Sequence, residues 1–426
     1  MPVASAVLNR TPDEMEQPRS STRVASVDFV RGVAMIVMAI DHVRVYSGVP
    51  AGGPTFGVFF TRWITHLSAP TFVFLAGTAA FLHGRKLNSP AALSKFLLTR
   101  GLWLVFLEMT VLRLAWTFNF DYPHYMLAGV IWMLGWCMVL MAGIVRLPLM
   151  FNAIAGIGIV ALHNVTSLFW PAIERHYANS GPNWLLKFLY FGSAVRLGES
   201  GPPIMILYVI VPWIGLMMSG YAFGKIVMLP PDKRRRTCLR LGAALMLAFV
   251  VLRGIDVYGD PRPWRIQQPA QAANANANPT AKAVPPRPAP PAVLRFLNTT
   301  KYPASLSFLL MTIGPMIFMI GLAEGLRGRL ADIVILFGRV PMFYYLLHIP
   351  VIHAAACMVS LIREGHVDPW LFTNHPMANP APPPHYQWSL GLLYLVYLVC
   401  LVILYFPCKW YAGVRARRKS ALLSYI

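Results

Sequence analysis

Apolar residues gather along this chain into runs of about twenty, the length needed to cross a hydrocarbon core. Ten such runs stand at 24–46, 58–83, 96–118, 126–146, 149–170, 203–227, 239–257, 303–325, 335–362 and 388–411. The pattern predicts an all-α fold, a polytopic integral membrane helix bundle of about ten transmembrane helices. The first run follows a polar tail containing Asp13, Glu14 and Glu16 and is too long for the core of a signal peptide, so it is expected to be retained. The chain then divides into a cytoplasmic polar tail (1–22), a first transmembrane part (23–257), an external loop (258–302), a second transmembrane part (303–411) and a basic cytoplasmic tail (412–426). The loop contains PAQAANANANPTAKAVPPRPAPPA, which has no hydrophobic periodicity and reads as a flexible tether.

The first run, RVASVDFVRGVAMIVMAIDHVRVY, carries ionisable residues inside a membrane-length helix. Helical spacing puts Asp28, Arg31, Met35, Met38 and His42 on one stripe roughly 80° wide, and the rise from Asp28 to His42 is about 21 Å. One helix face thus joins ionisable groups near both membrane surfaces. Such groups usually face a protein interior or a wet cavity and mark a pathway or a site. The alternative is a polar packing pair at each end, snorkelling to the interfaces.

The chain is 57% apolar and 12% charged, yet its net charge is +21. Distribution decides what that charge means. Arg85, Lys86 and Lys95 fall between runs two and three with Arg100 just inside the third, Lys233 to Arg236 between six and seven, and Arg327 and Arg329 between eight and nine. Basic residues in alternate short connections mark the cytoplasmic side, so both termini are expected inside and nucleic acid is not a partner. The five cysteines lie in or beside the runs without C-x-x-C spacing, which gives neither a disulfide scaffold nor a metal site. His366, His375 and His385 lie in a Pro-rich external stretch at irregular spacing and read as surface histidines, so no metal is expected.

No P-loop, H-E-x-x-H or G-x-S-x-G motif is present, so any chemistry must come from groups that helix packing brings together. Polar residues converge toward the outer half of the predicted bundle: Asp41 and His42, His66, Arg113 with Asn119, Asp121 and His124, then Asn298 and Lys301, and His348 one turn from Tyr344. His42 is the favoured general base, because imidazole accepts a proton near neutral pH. Adjacent Asp41 points about 100° away, so the orienting carboxylate is expected from another helix, Glu108 or Asp121. His66 and His124 read either as site groups or as interfacial histidines, and His348 either as a catalytic group or as a donor to a carbonyl. Arg113, Asn298 and Lys301 are candidates for binding an acceptor. At the other end, Arg31 with Asp28 suits an anionic donor bearing phosphates.

Four segments carry a family resemblance: RVASVDFVRGVAMIVMAIDHVR at 23–44, HLSAPTFVFLAGTAAFL at 66–82, FLNTTKYPASLSFLLMTIGP at 296–315 and FGRVPMFYYLLHIPVIH at 337–353. Together they resemble the heparan-alpha-glucosaminide N-acetyltransferase-like family and its bacterial branch. The resemblance implies a transmembrane acyltransferase of N- or O-acetyltransferase type, taking an acetyl or short acyl group from cytoplasmic acyl-CoA. It implies no permanently bound cofactor, with acetyl-CoA or another acyl-CoA as cosubstrate. The acceptor would be a glycan or small amine or hydroxyl at the external face, and the location the bacterial inner membrane; a homodimer is compatible. In the animal enzymes an Asn aligns with His42 and a catalytic histidine follows in the first luminal loop. Here Ser47 to Phe56 has no histidine, which points to a bacterial acceptor such as an envelope glycan or small amine.

The competing class is a permease using the same stripe as a substrate or proton route, and a third reading is a scaffold whose polar groups only join helices. Both membrane readings share one topology. On a cysteine-free background, a cysteine at position 275 is expected to label only from outside and one at position 90 only from the cytoplasm; the reverse at either position overturns the topology.

Overall fold

The computed structural model describes residues 23–53, 55–177, 183–196, 198, 201–265, 290–377 and 380–418. The tail 1–22, most of the Ala/Pro-rich tether and the end of the basic tail lie outside them.

Among the described residues, helices cover all ten apolar runs. They are α1 (Ala25–Tyr46), α2 (Phe56–Leu87), α3 (Pro90–Leu107), α4 (Val130–Ile144), α5 (Leu149–Phe169), α6 (Val211–Val227), α7 (Pro231–Ile255), α8 (Leu306–Leu322), α9 (Arg329–Arg339), α10 (Pro341–Glu364) and α11 (Leu390–Arg417). Polar caps set several starts: Thr55, Ser89, Ser305 and Ser389 each accept a backbone N–H of the first turn of α2, α3, α8 and α11. Five helices, α2, α5, α7, α10 and α11, are long and apolar enough to cross a membrane. Ten crossings would require α1, α3, α4, α6 and α8 to cross as well.

The structure departs from the apolar runs in three places. The run 335–362 is two helices, because Pro341 has no N–H to continue α9 and instead opens α10 at its first position. The runs beginning at 126 and 203 start as strands, β1 (Met126–Ala128) and β3 (Pro203–Ile206). With β2 (Ser193–Arg196) they form a small sheet in the order β1-β3-β2, β3 running parallel to β1 and antiparallel to β2. Finally, α3 continues through a π-helical turn, Glu108–Leu112, into a last α-turn, Arg113–Thr117.

Helices pack in pairs, α7 on α8, α3 on α4 and α2 on α6, while α1 touches α2, α8, α9, α10 and α11. The ionisable helix is therefore wrapped by protein on most sides, which keeps its stripe out of lipid. Its contact with α9 is backbone on backbone. A Cβ at Gly338 would stand 1.8 Å from the Asp28 carbonyl oxygen, and one at Gly32 would stand 1.9 Å from that of Val334. Only glycine permits this approach, a common device between membrane helices. Gly338→Ala is expected to lower stability by about 1–3 kcal/mol through overpacking, whereas Gly143→Ala, with open space around it, should leave the thermal unfolding midpoint in detergent nearly unmoved. Equal midpoints for the two variants would refute the close contact.

Candidate active site

Two cavities follow the stripe of α1. One, of about 630 Å³, is lined by Asp28, Arg31 and Met35. The other, of about 380 Å³, is lined by Met38, Asp41 and His42. Phe72, Val130 and Tyr345 line both, so the cavities meet across these three side chains.

The Arg31 cavity is strongly basic, with Arg23, Arg31, Lys86, Arg100, Arg339 and Arg415 around it. Asp28 answers part of that charge. It accepts Arg23 Nε at 2.5 Å and Arg31 Nη1 at 3.0 Å, and Arg31 Nη1 also donates to the Gly338 carbonyl at 3.3 Å. The glycine contact between α1 and α9 is what brings that carbonyl within reach. Both of these Arg31 bonds leave from Nη1, so the guanidinium fork retains donors for an anion.

His42 lines the other cavity, and behind it stands buried His348 from the far end of the sequence: His42 Nδ1 lies 2.6 Å from His348 Nε2, with the rings stacked 4.8 Å apart. The carbonyl oxygens of Tyr344 and Tyr345 stand 3.1 and 2.7 Å from His348 Nδ1. Carbonyls only accept, so His348 carries its proton on Nδ1 and its Nε2 accepts from His42 Nδ1–H. The lone pair of a neutral His42 is thereby left on Nε2. Trp116 packs edge-on against the same ring at 4.8 Å. His348 thus donates to carbonyls, one of its two sequence readings, and also accepts from His42.

This geometry corrects the expectation of a carboxylate behind His42. Glu108 lines the cavity but accepts the Ile131 and Trp132 N–H groups at 3.0 and 3.3 Å, at the first turn of α4. Asp121 sits in a loop with His124 at 2.5 Å and Asn374 at 2.9 Å, and the His124 hydrogen bond holds its carboxyl below the usual range. Asp41 lines the cavity with its carboxylate bonded to Arg44 Nε at 2.8 Å. Lys301 also reaches it, its ammonium over the rings of Tyr208 and Tyr302 at 5.8 and 5.2 Å.

Four predicted site residues line neither cavity: His348, which stands behind His42, and Arg113, Asn298 and His66. Arg113 is buried and donates to the Tyr125 and Asn119 carbonyls, to Thr117 and to Asn374, pinning the 119–125 loop. Asn298 is exposed, and its carbonyl joins those of Phe296, Arg262 and Arg295 around buried Arg253. His66 is buried against Phe308, with no hydrogen bond to either ring nitrogen. A helix-face projection places a residue on a helix, not opposite a cavity in the packed bundle.

The loop histidines separate. His366 meets the Glu364 carbonyl, and His385 lies 3.4 Å from Asp368. Among the described residues, Glu364, Asp368 and His385 bring ligand atoms within 4.8 Å of one another, a set that the spacing of histidines alone did not reveal. His375 is not a surface residue: it is buried, stacks over Trp370 and lines the His42 cavity.

Residues 23–255, α1 through α7, match the family model described as heparan-alpha-glucosaminide N-acetyltransferase, catalytic. The chain belongs to this family. No curated protein matches the chain. The family is one of transmembrane acetyltransferases, and the matched range holds His42, Glu108 and Arg31; His348, Lys301 and His375 come from beyond it and reach the site by packing. The His42 bond to His348 is expected to appear as a coupling of about 1 kcal/mol between His42→Ala and His348→Ala in a double-mutant stability cycle. Strictly additive losses would show that the two rings do not bond.

Proposed function

We propose that the protein is a transmembrane acyltransferase that carries an acetyl or short acyl group from cytoplasmic acyl-CoA to an amine or hydroxyl acceptor at the external face of a bacterial inner membrane. The observation that carries this reading is the meeting of a basic cavity and a histidine cavity across Phe72, Val130 and Tyr345. The basic end matches the phosphates of CoA, with Arg31 as a fork-shaped donor close to the bilayer interior and Arg23, Arg339 and Arg415 around it. The slender pantetheine arm then reaches toward the junction, and the thioester comes to His42.

His42 Nε2 takes the proton of the acceptor's amine or hydroxyl as that atom attacks the thioester carbonyl. The imidazolium so formed keeps its Nδ1–H on His348, whose own Nδ1–H stays on the two backbone carbonyls. The proton therefore goes no further and remains available. Tyr345, lining both cavities with its ring 5.1 Å from that of His348, and Lys301 supply donors toward the oxyanion. Collapse of the tetrahedral intermediate forms the amide or ester, breaks the C–S bond, and returns the His42 proton to the departing thiolate. Direct transfer requires both substrates at once, which suits a site reached from both ends.

A permease would use the same cavities without bond chemistry, so turnover separates the two. Purified protein is expected to release CoA thiol from acetyl-CoA. His42→Ala should cut transfer about 100-fold or more while acetyl-CoA still binds; Arg31→Gln should weaken acetyl-CoA binding about tenfold. Transfer undiminished in His42→Ala removes this residue as base, and donor affinity unchanged in a folded Arg31→Gln protein removes the donor site from the Arg31 cavity.

A further inference from the structure

The loop between α10 and α11 brings together three side chains that acyl transfer does not use. Glu364 ends α10, Asp368 caps the 3-10 turn Pro369–Phe372, and His385 stands shortly before α11. One carboxylate oxygen from each acid and one ring nitrogen of His385 all lie within 4.8 Å of one another. The spacing of histidines pointed away from a metal, because this set takes a single histidine and completes itself with two carboxylates.

Hydrogen bonding inside the loop leaves the converging atoms short of partners. Asp368 is 5% exposed; its Oδ1 accepts the Trp370 N–H at 2.8 Å, and Oδ2 is left with His385 Nε2 at 3.4 Å, long for a hydrogen bond. Glu364 Oε2 lies 3.2 Å from the Ser360 hydroxyl, while Oε1 is buried without a hydrogen bond. Neighbouring Arg363 donates to the Tyr386 carbonyl at 3.1 Å. A buried carboxylate oxygen that meets no donor is costly, and a cation removes that cost. Behind the set stands Ser360, 1% exposed, whose oxygen accepts the Asp368 N–H at 2.9 Å and lies 3.1 Å from the His366 carbonyl as well as beside Glu364. One buried serine thus orients both acids, as outer-shell groups do around metals.

We propose that Glu364, Asp368 and His385 bind a divalent cation of the zinc class. An imidazole nitrogen suits zinc, whereas calcium and magnesium take oxygen ligands, and three protein ligands leave a fourth position to water. Bound there, the ion fastens the end of α10 to both ends of the loop that walls the His42 cavity. The turn begun by Asp368 carries Trp370, which lines that cavity. The segment after His385 reaches the end of α1: the Tyr386 hydroxyl donates to the Tyr46 carbonyl at 3.0 Å, and the Trp388 N–H to the Ser47 carbonyl at 2.9 Å. The site stands independently of the acyl-transfer reading.

Zn²⁺ is the probe, added to the full chain purified in detergent and first stripped with a chelator. Titration calorimetry should show about one ion bound per chain with a dissociation constant of about 1 µM or tighter. At saturating Zn²⁺ the thermal unfolding midpoint should rise by about 3 °C or more. The His385 side chain is 64% exposed, so His385→Ala keeps the fold; it should weaken Zn²⁺ binding at least about tenfold and remove the rise in midpoint. Asp368→Asn should do the same, and Ser360→Ala should weaken binding about tenfold through the acids it orients. His366→Ala, exposed and outside the set, should change neither quantity. Wild-type protein that binds no Zn²⁺ at about 100-fold above that constant overturns the site. Binding that His385→Ala leaves unchanged overturns it equally, and Ca²⁺ displacing Zn²⁺ at equal concentration overturns the assignment to the zinc class.

Discussion

A helix that carries Asp28, Arg31, Asp41 and His42 cannot lie against lipid, and the rest of the molecule is arranged around that fact. Moving such groups into hydrocarbon costs several kcal/mol each, so α1 must be enclosed by protein and its polar stripe must open onto water-accessible space. Enclosure is achieved by five surrounding helices, and on one side by backbone contact at Gly32 and Gly338. Opening is achieved by two cavities stacked along the same stripe. The requirement that hides the helix thereby also creates a route along it.

The histidine pair shows how a base can be oriented without a neighbouring charge. A carboxylate behind His42 would bring a second ionised group into a low-dielectric interior, where its desolvation has to be offset. Instead, two backbone carbonyls in α10 fix the tautomer of His348, and His348 fixes that of His42. Those carbonyls lie in the first turns of α10, close to the break at Pro341. The carboxylates nearby are engaged elsewhere, Asp41 with Arg44 and Glu108 with the start of α4. Glu108 opens the π-helical turn of α3, an insertion that is frequent at functional sites; here it lets one helix send a carboxylate to the cavity and Arg113 to the 119–125 loop.

Family membership and geometry contribute different parts of this picture. The matched range, 23–255, contains His42 and four of the six basic residues around the Arg31 cavity, Arg339 and Arg415 lying beyond it. His348, which bonds His42, and Tyr345, Lys301 and His375, which line the His42 cavity, all come from beyond the matched range. The site is thus shared between the two halves that the tether separates.

Hydropathy alone located the apolar stretches that the helices occupy, because a bilayer imposes a length that composition records directly, although it joined α9 and α10 into one run. It also singled out the polar stripe of α1, along which two cavities lie, since the rise and turn of one helix are local and need no knowledge of partners. What it could not supply was every relation between helices. Asp41 and His42 are neighbours in sequence and face different partners; His42 and His348 are 306 positions apart and share a proton. Arg113 had the right chemistry and was turned to the Tyr125 and Asn119 carbonyls, while the backbone carbonyl of Asn298 accepts from Arg253, relations that only the packed chain assembles. His375 carried no local signal, since irregular spacing in a Pro-rich stretch reads as surface. Burial is a property of the tertiary environment, and only the folded structure placed that loop histidine in the wall of the cavity.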